Sequence, residues 1–152
     1  MWIYALICIA IVGLDQWSKF EVVRTIPLGG EVPFIPHVLS FTHIRNSGAA
    51  WSILEGKRWF FAVITVIAIV GVLYLFREYR GKSRVLSCGL ALILAGALGN
   101  LIDRVRQGYV VDMIRLDFIN FPIFNIADMS LVIGVALTFI ALWKLEDKRA
   151  WK

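Results

Sequence analysis

Two aspartates, Asp112 and Asp128, have the residue type and setting to do chemistry that a lipid bilayer normally discourages. Asp112 closes the run Val110-Val111-Asp112, and Asp128 ends Phe124-Asn125-Ile126-Ala127-Asp128. Asp128 falls inside the first turns of a strongly apolar segment, where hydrocarbon solvates charge poorly and an ionised carboxylate is costly. Two carboxylates held close together share one proton and hold a water between them, an arrangement that can activate the water against a peptide bond. The plainer reading makes both residues helix-start carboxylates favoured by the helix dipole. Asp128 is expected to lie too deep in its helix to serve as a cap.

The elements that must position this pair follow from composition. The chain has 152 residues, of which 59% are hydrophobic, and its mean hydropathy is +0.75. That excludes an ordinary soluble domain. A bilayer-spanning helix needs about 20 mostly apolar residues, and four segments qualify: 2–23, 59–76, 85–104 and 123–144. The expected architecture is a membrane all-α fold, one integral domain over residues 1–152 with four transmembrane helices. Loop 77–84 is cytoplasmic in this reading, and the two outer loops, 24–58 and 105–122, form a small extracytoplasmic β-rich cradle.

Orientation follows from lysine and arginine. Arg77, Arg80, Lys82 and Arg84 crowd the short loop against Glu78, and Lys144, Lys148, Arg149 and Lys152 crowd the C-terminal tail. An even number of spans puts both clusters on one side, so both termini are expected in the cytoplasm. Arg24, Arg45, Lys57 and Arg58 make the first outer loop basic too, which softens the contrast. The net charge of +5 suits anionic lipid headgroups. No aromatic-basic interleaving of the kind that binds bases is present, so nucleic acid is not an expected partner. The first apolar run lacks a basic leading region and is interrupted by Asp15, so it reads as a retained anchor rather than a cleaved signal. Cys8 and Cys88 read as buried free thiols.

In the first outer loop, Pro27, Gly29, Gly30, Pro33 and Pro36 rule out a regular helix. Residues 38–45 are rich in β-branched and aromatic side chains, which predicts a strand, and Asn46-Ser47-Gly48 reads as a turn. Tyr109-Val110-Val111 and Met113-Ile114-Arg115-Leu116 predict a second strand. Backbone near membrane depth must find hydrogen-bond partners, and pairing the two outer loops into one small sheet supplies them.

Polar residues then converge at one depth. Asp15 lies about 20 Å along the first helix, with Lys19 one turn further on the same face. Asn100, Asp103 and Arg104 fall at the outer end of the third helix, Asn100 and Arg104 sharing a face. Asn125 sits one turn above Asp128 on the fourth. The second helix offers only Thr65 and reads as scaffold. Asp15 with Lys19 also reads as an interhelical tie, and Asp103 as a marker of the water boundary. His37 and His43 read as surface histidines, without the ligand spacing of a metal site. Asn46 is followed by Gly48-Ala49-Ala50, small residues that let backbone or substrate approach closely.

The ordered set Asn46-Ser47-Gly48-Ala49-Ala50, Gly99-Asn100-Leu101-Ile102-Asp103-Arg104, Val110-Val111-Asp112 and Phe124-Asn125-Ile126-Ala127-Asp128 resembles the motifs of the lipoprotein signal peptidases, signal peptidase II. Asp15 and Lys19 match the same family, and the likeness runs along essentially the whole chain. Met113 and Trp51 depart from its commoner phenylalanines. The resemblance implies a metal-independent aspartic peptidase of the bacterial cytoplasmic membrane, with no cofactor. It would cut prolipoproteins before a diacylglyceryl-modified cysteine and be inhibited by globomycin. By the same match Asp112 and Asp128 are the catalytic pair. Asn46, Asn100, Arg104 and Asn125 bind substrate, and Asp15, Lys19, Gly48, Ala49 and Asp103 support the site. A monomer among membrane lipids is expected. Two other classes compete. A proton-coupled transporter would spread polar residues across the membrane depth, and a structural subunit would leave the aspartates unexplained.

Overall fold

The computed structural model describes residues 2–48 and 56–150. The order of elements is α1 (Trp2–Thr25), β1 (Glu31–Ile35), β2 (Leu39–Asn46), α2 (Arg58–Glu78), α3 (Arg84–Gln107), β3 (Val110–Leu116) and α4 (Ile126–Ala150). All four helices are long and apolar enough to cross a membrane. At 1.5 Å per residue each is roughly 30 Å long or more, the thickness of the hydrocarbon layer. The four-helix frame with a small sheet from two loops is therefore as the sequence predicts.

α3 is the hub. More than half of its most apolar stretch is buried, whereas α2 buries almost none of its own. The hub role follows from small residues. A Cβ at Gly89 would lie 2.9 Å from the Gly134 carbonyl oxygen, and one at Gly96 would collide with the carbonyl oxygen of Ala127. Backbones of α3 and α4 thus approach more closely than any larger residue would allow. The Ser130 hydroxyl on α4 adds a hydrogen bond to the Leu92 carbonyl on α3. At the end of the bundle away from the sheet, Val72, Leu86, Leu90 and Ala141 join α2, α3 and α4 in one apolar cluster.

The ends of α3 follow local chemistry. Ser83, extended at φ −156°, caps the helix by accepting the Leu86 N–H at 3.2 Å. Gly108, at φ 84°, closes it in the left-handed region, its N–H bonded to the Arg104 carbonyl. Ser83→Ala should lower stability by about 1 kcal/mol, measured as a reduced unfolding temperature in detergent with catalytic rate unchanged. An unaltered unfolding temperature would mean that the cap contributes nothing.

The three strands form one antiparallel sheet in the order β1-β2-β3. β2 and β3 come from different loops and pair from Leu39↔Leu116 to Asn46↔Val110, with an irregularity between Phe41 and Ile44. This pairing sets Asp112 opposite Ile44, two positions from Asn46. A further bridge between Ile114 and Phe124 carries the sheet to the threshold of α4. Val111 and Met113 pack with Val22 and Ile26, which seats the sheet on the end of α1. On the edge, Arg115 binds both Asp117 and Glu31, and Asp117 accepts from Ser40, so one charge cluster staples all three strands.

β1 forms despite Pro33, because an edge strand leaves one side of its backbone unpaired and tolerates a missing N–H. Three expectations need correcting. α4 begins at Ile126 rather than at residue 123, since Phe124 is held in the sheet bridge. His43 is buried, not on the surface; its Nδ1 lies 2.9 Å from the Ile26 carbonyl oxygen. Cys88 is only half-buried, while Cys8 is buried, and neither forms a disulfide.

Candidate active site

The turn from sheet to α4 assembles the site. Asn125 stands at the start of α4. Its Oδ1 accepts the Asp128 N–H at 2.9 Å, and Asp128 Oδ2 accepts the Asn125 N–H at 3.2 Å. This is a reciprocal capping box, so Asp128 does cap its helix, contrary to the expectation that it lies too deep. The later start of α4 is the reason. The capping role and a chemical role are compatible, because the other oxygen, Oδ1, faces Asn100 Nδ2 at 2.7 Å.

Asp112 arrives from the strand. Its Oδ1 accepts from Asn125 Nδ2 at 2.7 Å and its Oδ2 from Asn46 Nδ2 at 2.9 Å. Asn125 thus holds both carboxylates, one through its side chain and one through its backbone. Asn46 is itself fixed, its Oδ1 accepting the Gly48 N–H at 2.9 Å in the expected turn. Asp112 is only 3% exposed. Burial, reinforced by the negative charge of Asp128, outweighs these amide donors and lifts its carboxyl to about 6. A carboxyl that titrates close to neutrality is suited to exchanging protons.

Behind the pair lies a buried charge cluster built by α1 and α3. Lys19 Nζ is 2.8 Å from Asp15 Oδ2, 2.9 Å from Asp103 Oδ2 and 3.1 Å from Asn100 Oδ1. Asp15 has no solvent exposure, and its Oδ1 accepts the Ala127 N–H at 2.9 Å, one residue before Asp128. The fit depends on Gly99, where a Cβ would stand 2.8 Å from Asp15 Oδ2. Asp103 is buried rather than a marker of the water boundary, and it also accepts the Val111 N–H at 3.3 Å. Gln16 closes the cluster, donating to Asp103 Oδ1 at 2.9 Å.

In front of the pair opens a cavity of about 500 Å³. Asn46, Gly48, Asn100, Arg104, Asp112 and Asp128 form its polar head. Phe121, Phe124, Met129, Val132 and Ile133 make the rest of its lining apolar. Arg104 reaches the Gly48 carbonyl at 3.3 Å, with its guanidinium 5.1 Å from the centroid of the Phe61 ring. The arrangement can hold a water against two carboxylates beside a slot for an apolar chain.

Nearly all the residues singled out in the sequence meet here: Asp112, Asp128, Asn46, Asn100, Arg104 and Gly48 line the cavity, with Asp15, Lys19 and Asp103 behind. Asn125 is fully buried between the two carboxylates and is not part of the lining, so it positions the pair instead of meeting substrate, contrary to the expected binding role. Ala49 lies outside the described residues. Gln16 and Phe61 were missed. Gln16 carried no signal beyond being a polar neighbour of Asp15, and Phe61 is one aromatic among many on an apolar helix. Thr65 takes no part, its hydroxyl bonding the Phe61 carbonyl within α2.

Known proteins are similar to this chain in sequence and fold. A family model described as Signal peptidase (SPase) II matches residues 7–144. The lipoprotein signal peptidase of Enterococcus faecalis is 57% identical over 97% of this chain and 91% of its own length. That of Lactiplantibacillus plantarum is 51% identical over 97% of each. A bacterial membrane enzyme structure at 2.3 Å resolution superposes with a TM-score of 0.91 at 44% identity, over 95% of this chain and 89% of that one. A second, at 1.9 Å, gives 0.87 at 44% identity over 93% of each. With four membrane-capable helices and full-length similarity to membrane peptidases, the chain belongs to the signal peptidase II family.

Proposed function

We propose that this lipoprotein-processing membrane peptidase is an aspartic endopeptidase that cuts prolipoproteins on the N-terminal side of a diacylglyceryl-modified cysteine. The observation that carries this reading is Asn125, which ties Asp112 and Asp128 to one another at the head of an apolar cavity. In the proposed reaction an ionised carboxylate takes a proton from the bridging water as its oxygen attacks the scissile carbonyl carbon. The protonated partner hydrogen-bonds the carbonyl oxygen as it gains charge. Collapse of the tetrahedral intermediate breaks the C–N bond, and a proton passes to the leaving amine. Arg104 lines the cavity and stabilises developing negative charge or a substrate carbonyl. Asn46 and Asn100 spend amide donors on the two carboxylates and line the cavity, so they hold the pair in place as well as face the substrate, whereas the buried Asn125 only holds the pair. The apolar wall from Phe121 to Ile133 takes the lipid-bearing segment, since apolar lining favours apolar ligands.

The basic loop between α2 and α3 and the basic C-terminal tail favour a cytoplasmic location for both termini in the bacterial inner membrane. The site then opens toward the outer leaflet. The chain acts as a monomer without a cofactor in this reading, and globomycin occupies the same cavity. A transporter would need polar residues along the membrane depth, whereas the polar cluster gathers at the sheet end.

The test is cleavage of a purified diacylglyceryl-modified prolipoprotein by the purified chain in detergent with EDTA, with products sized by mass spectrometry. The expected product begins at the lipidated cysteine, appears despite EDTA and is lost with globomycin. Cutting elsewhere, equal cutting of the unmodified precursor, or arrest by EDTA would overturn the reading.

A further inference from the structure

We propose that Lys19 is a positioning residue: through the Asn100 amide it keeps Asp128 the ionised, water-activating member of the pair and leaves the proton on Asp112. This rests on the aspartic reading above and goes beyond it, by giving the two carboxylates different roles.

The ammonium of Lys19 has three N–H donors and no acceptor. All three find oxygens, on Asp15, Asp103 and Asn100, and the side chain is only 4% exposed. The Asn100 atom facing Lys19 must therefore be its oxygen. That same oxygen also accepts from Asn125 Nδ2 at 3.2 Å. The amide cannot flip without setting a donor against a buried cation, so Nδ2 is committed to Asp128 Oδ1. A positive charge on the oxygen side of an amide polarises it and strengthens the N–H on the other side. Asp128 gains a second bias from its place in the first turn of α4, where the helix dipole and the Asn125 N–H favour negative charge.

Asp112 also feels the Lys19 charge across space, but it has no amide relay to it. It lies on a strand, and its two amide donors have neutral groups behind them. Asn46 Oδ1 faces the Gly48 N–H, and Asn125 Oδ1 faces the Asp128 N–H. The charged groups around Asp128 are Asp15 and Lys19 on α1, Asp103 and Arg104 on α3, and Asp112 on β3. Asp15 and Asp103 are each paired with Lys19, and Arg104 completes two cations against those two anions. The flanking charges balance in number, so the direction of the donors decides which carboxylate keeps its charge.

The test is the pH profile of kcat/KM for the full-length protein and four variants in detergent. Two interacting carboxylates give an acid and an alkaline limb that belong to the pair. Asn100→Ala removes the relay but leaves Lys19 paired with Asp15 and Asp103, so the bundle should still fold. It should move the acid limb to higher pH by about one unit and leave the alkaline limb in place. Lys19→Met should move the same limb in the same direction, and Lys19→Arg should restore it in part. Asn46→Ala, which removes a donor from Asp112, should move the alkaline limb to higher pH instead.

Exchange of the two limbs between Asn100→Ala and Asn46→Ala would reverse the assignment. A uniform fall in rate with both limbs unmoved, or a profile without two limbs, would reduce Lys19 to a packing role. Should Lys19→Met fail to fold, Lys19→Gln decides the matter, because it removes the charge while keeping a donor for Asn100 and should show the same shift; Asn100→Ala alone tests only the donor to Asp128. If Asp112→Asn and Asp128→Asn continue to cut, the aspartic reading itself fails. If they are silent while the limbs behave otherwise, only the assignment of roles fails.

Discussion

Asparagine in place of either Asp112 or Asp128 should all but abolish cleavage, lowering kcat by roughly 10²- to 10⁴-fold, while the helices stay assembled. The substitution keeps size and shape but removes the group that, in the proposed reaction, accepts or donates the proton. The measurement is single-turnover cleavage of the lipidated precursor, with folding followed by thermal unfolding in detergent. Residual cutting within tenfold of the native rate would remove that residue from the chemistry.

Asp112→Asn carries a second expectation, of opposite sign, in stability. The native carboxyl is lifted from 3.8 to about 6, first by burial and then by the charge of Asp128, against the donors Asn46 and Asn125. A carboxyl raised on folding binds its proton more tightly in the native state. Its contribution is therefore fully present below the unfolded value of 3.8 and is lost as pH rises through about 6. Two units correspond to roughly 3 kcal/mol. The asparagine amide forfeits one of the two hydrogen bonds from Asn46 and Asn125, which reduces the net gain to on the order of 1–2 kcal/mol. Asp112→Asn should thus unfold at a higher temperature than the native chain at pH 8, the difference shrinking toward pH 4. A variant that is less stable at pH 8 would show that burial of the charge is not what strains this position. The inactive form should be the more robust one, as expected where a site keeps a costly group for its chemistry.

Gly96→Ala should damage both stability and activity, although residue 96 is not part of the lining of the site cavity. The added Cβ would collide with the Ala127 carbonyl oxygen and stand 2.6 Å from Leu131 Cγ and 3.1 Å from Leu131 N. Backbone cannot yield as the end of a flexible side chain can, so α4 must shift away from α3. Overpacking of this kind costs about 1–3 kcal/mol. Ala127 adjoins Asp128 and is held by Asp15 through its N–H, so the shift moves one carboxylate relative to the other. A displacement near 1 Å is enough for about a 10²-fold loss of rate. Gly13→Ala and Gly71→Ala serve as controls, because a Cβ at either position meets nothing within 4 Å. They should be at least as stable as the native chain, since Ala favours a helix over Gly, and should cut at its rate. Native behaviour of Gly96→Ala would mean that α3 and α4 have slack at their closest approach.

Much was legible in the chain because hydrocarbon enforces simple rules. Long apolar runs had to be helices, since lipid offers the backbone no hydrogen-bond partners. Residues such as Asp15, Lys19, Asn100 and Asp128 were conspicuous because a polar group in such a run is costly. Helix rise alone put them at one depth, and the β-branched runs in two loops marked strands with an obvious need for partners.

The sequence by itself therefore determined the frame, the aspartate pair and the set of polar residues gathered around it. Only the tertiary structure decided which donor meets which oxygen. The Ile114–Phe124 bridge delays the start of α4 until Ile126, which turns Asp128 from a deep carboxylate into half of a capping box. Asp103 looks like a boundary residue along the chain, and it becomes a buried partner, joined by the half-buried Gln16, once α1 and α3 face each other. His43 moves from surface to interior because the sheet sits on the end of α1. The physical reason is common to all these cases. Depth and face are set by covalent rise and periodicity, which are local, whereas burial and amide orientation depend on which neighbours arrive from distant parts of the chain.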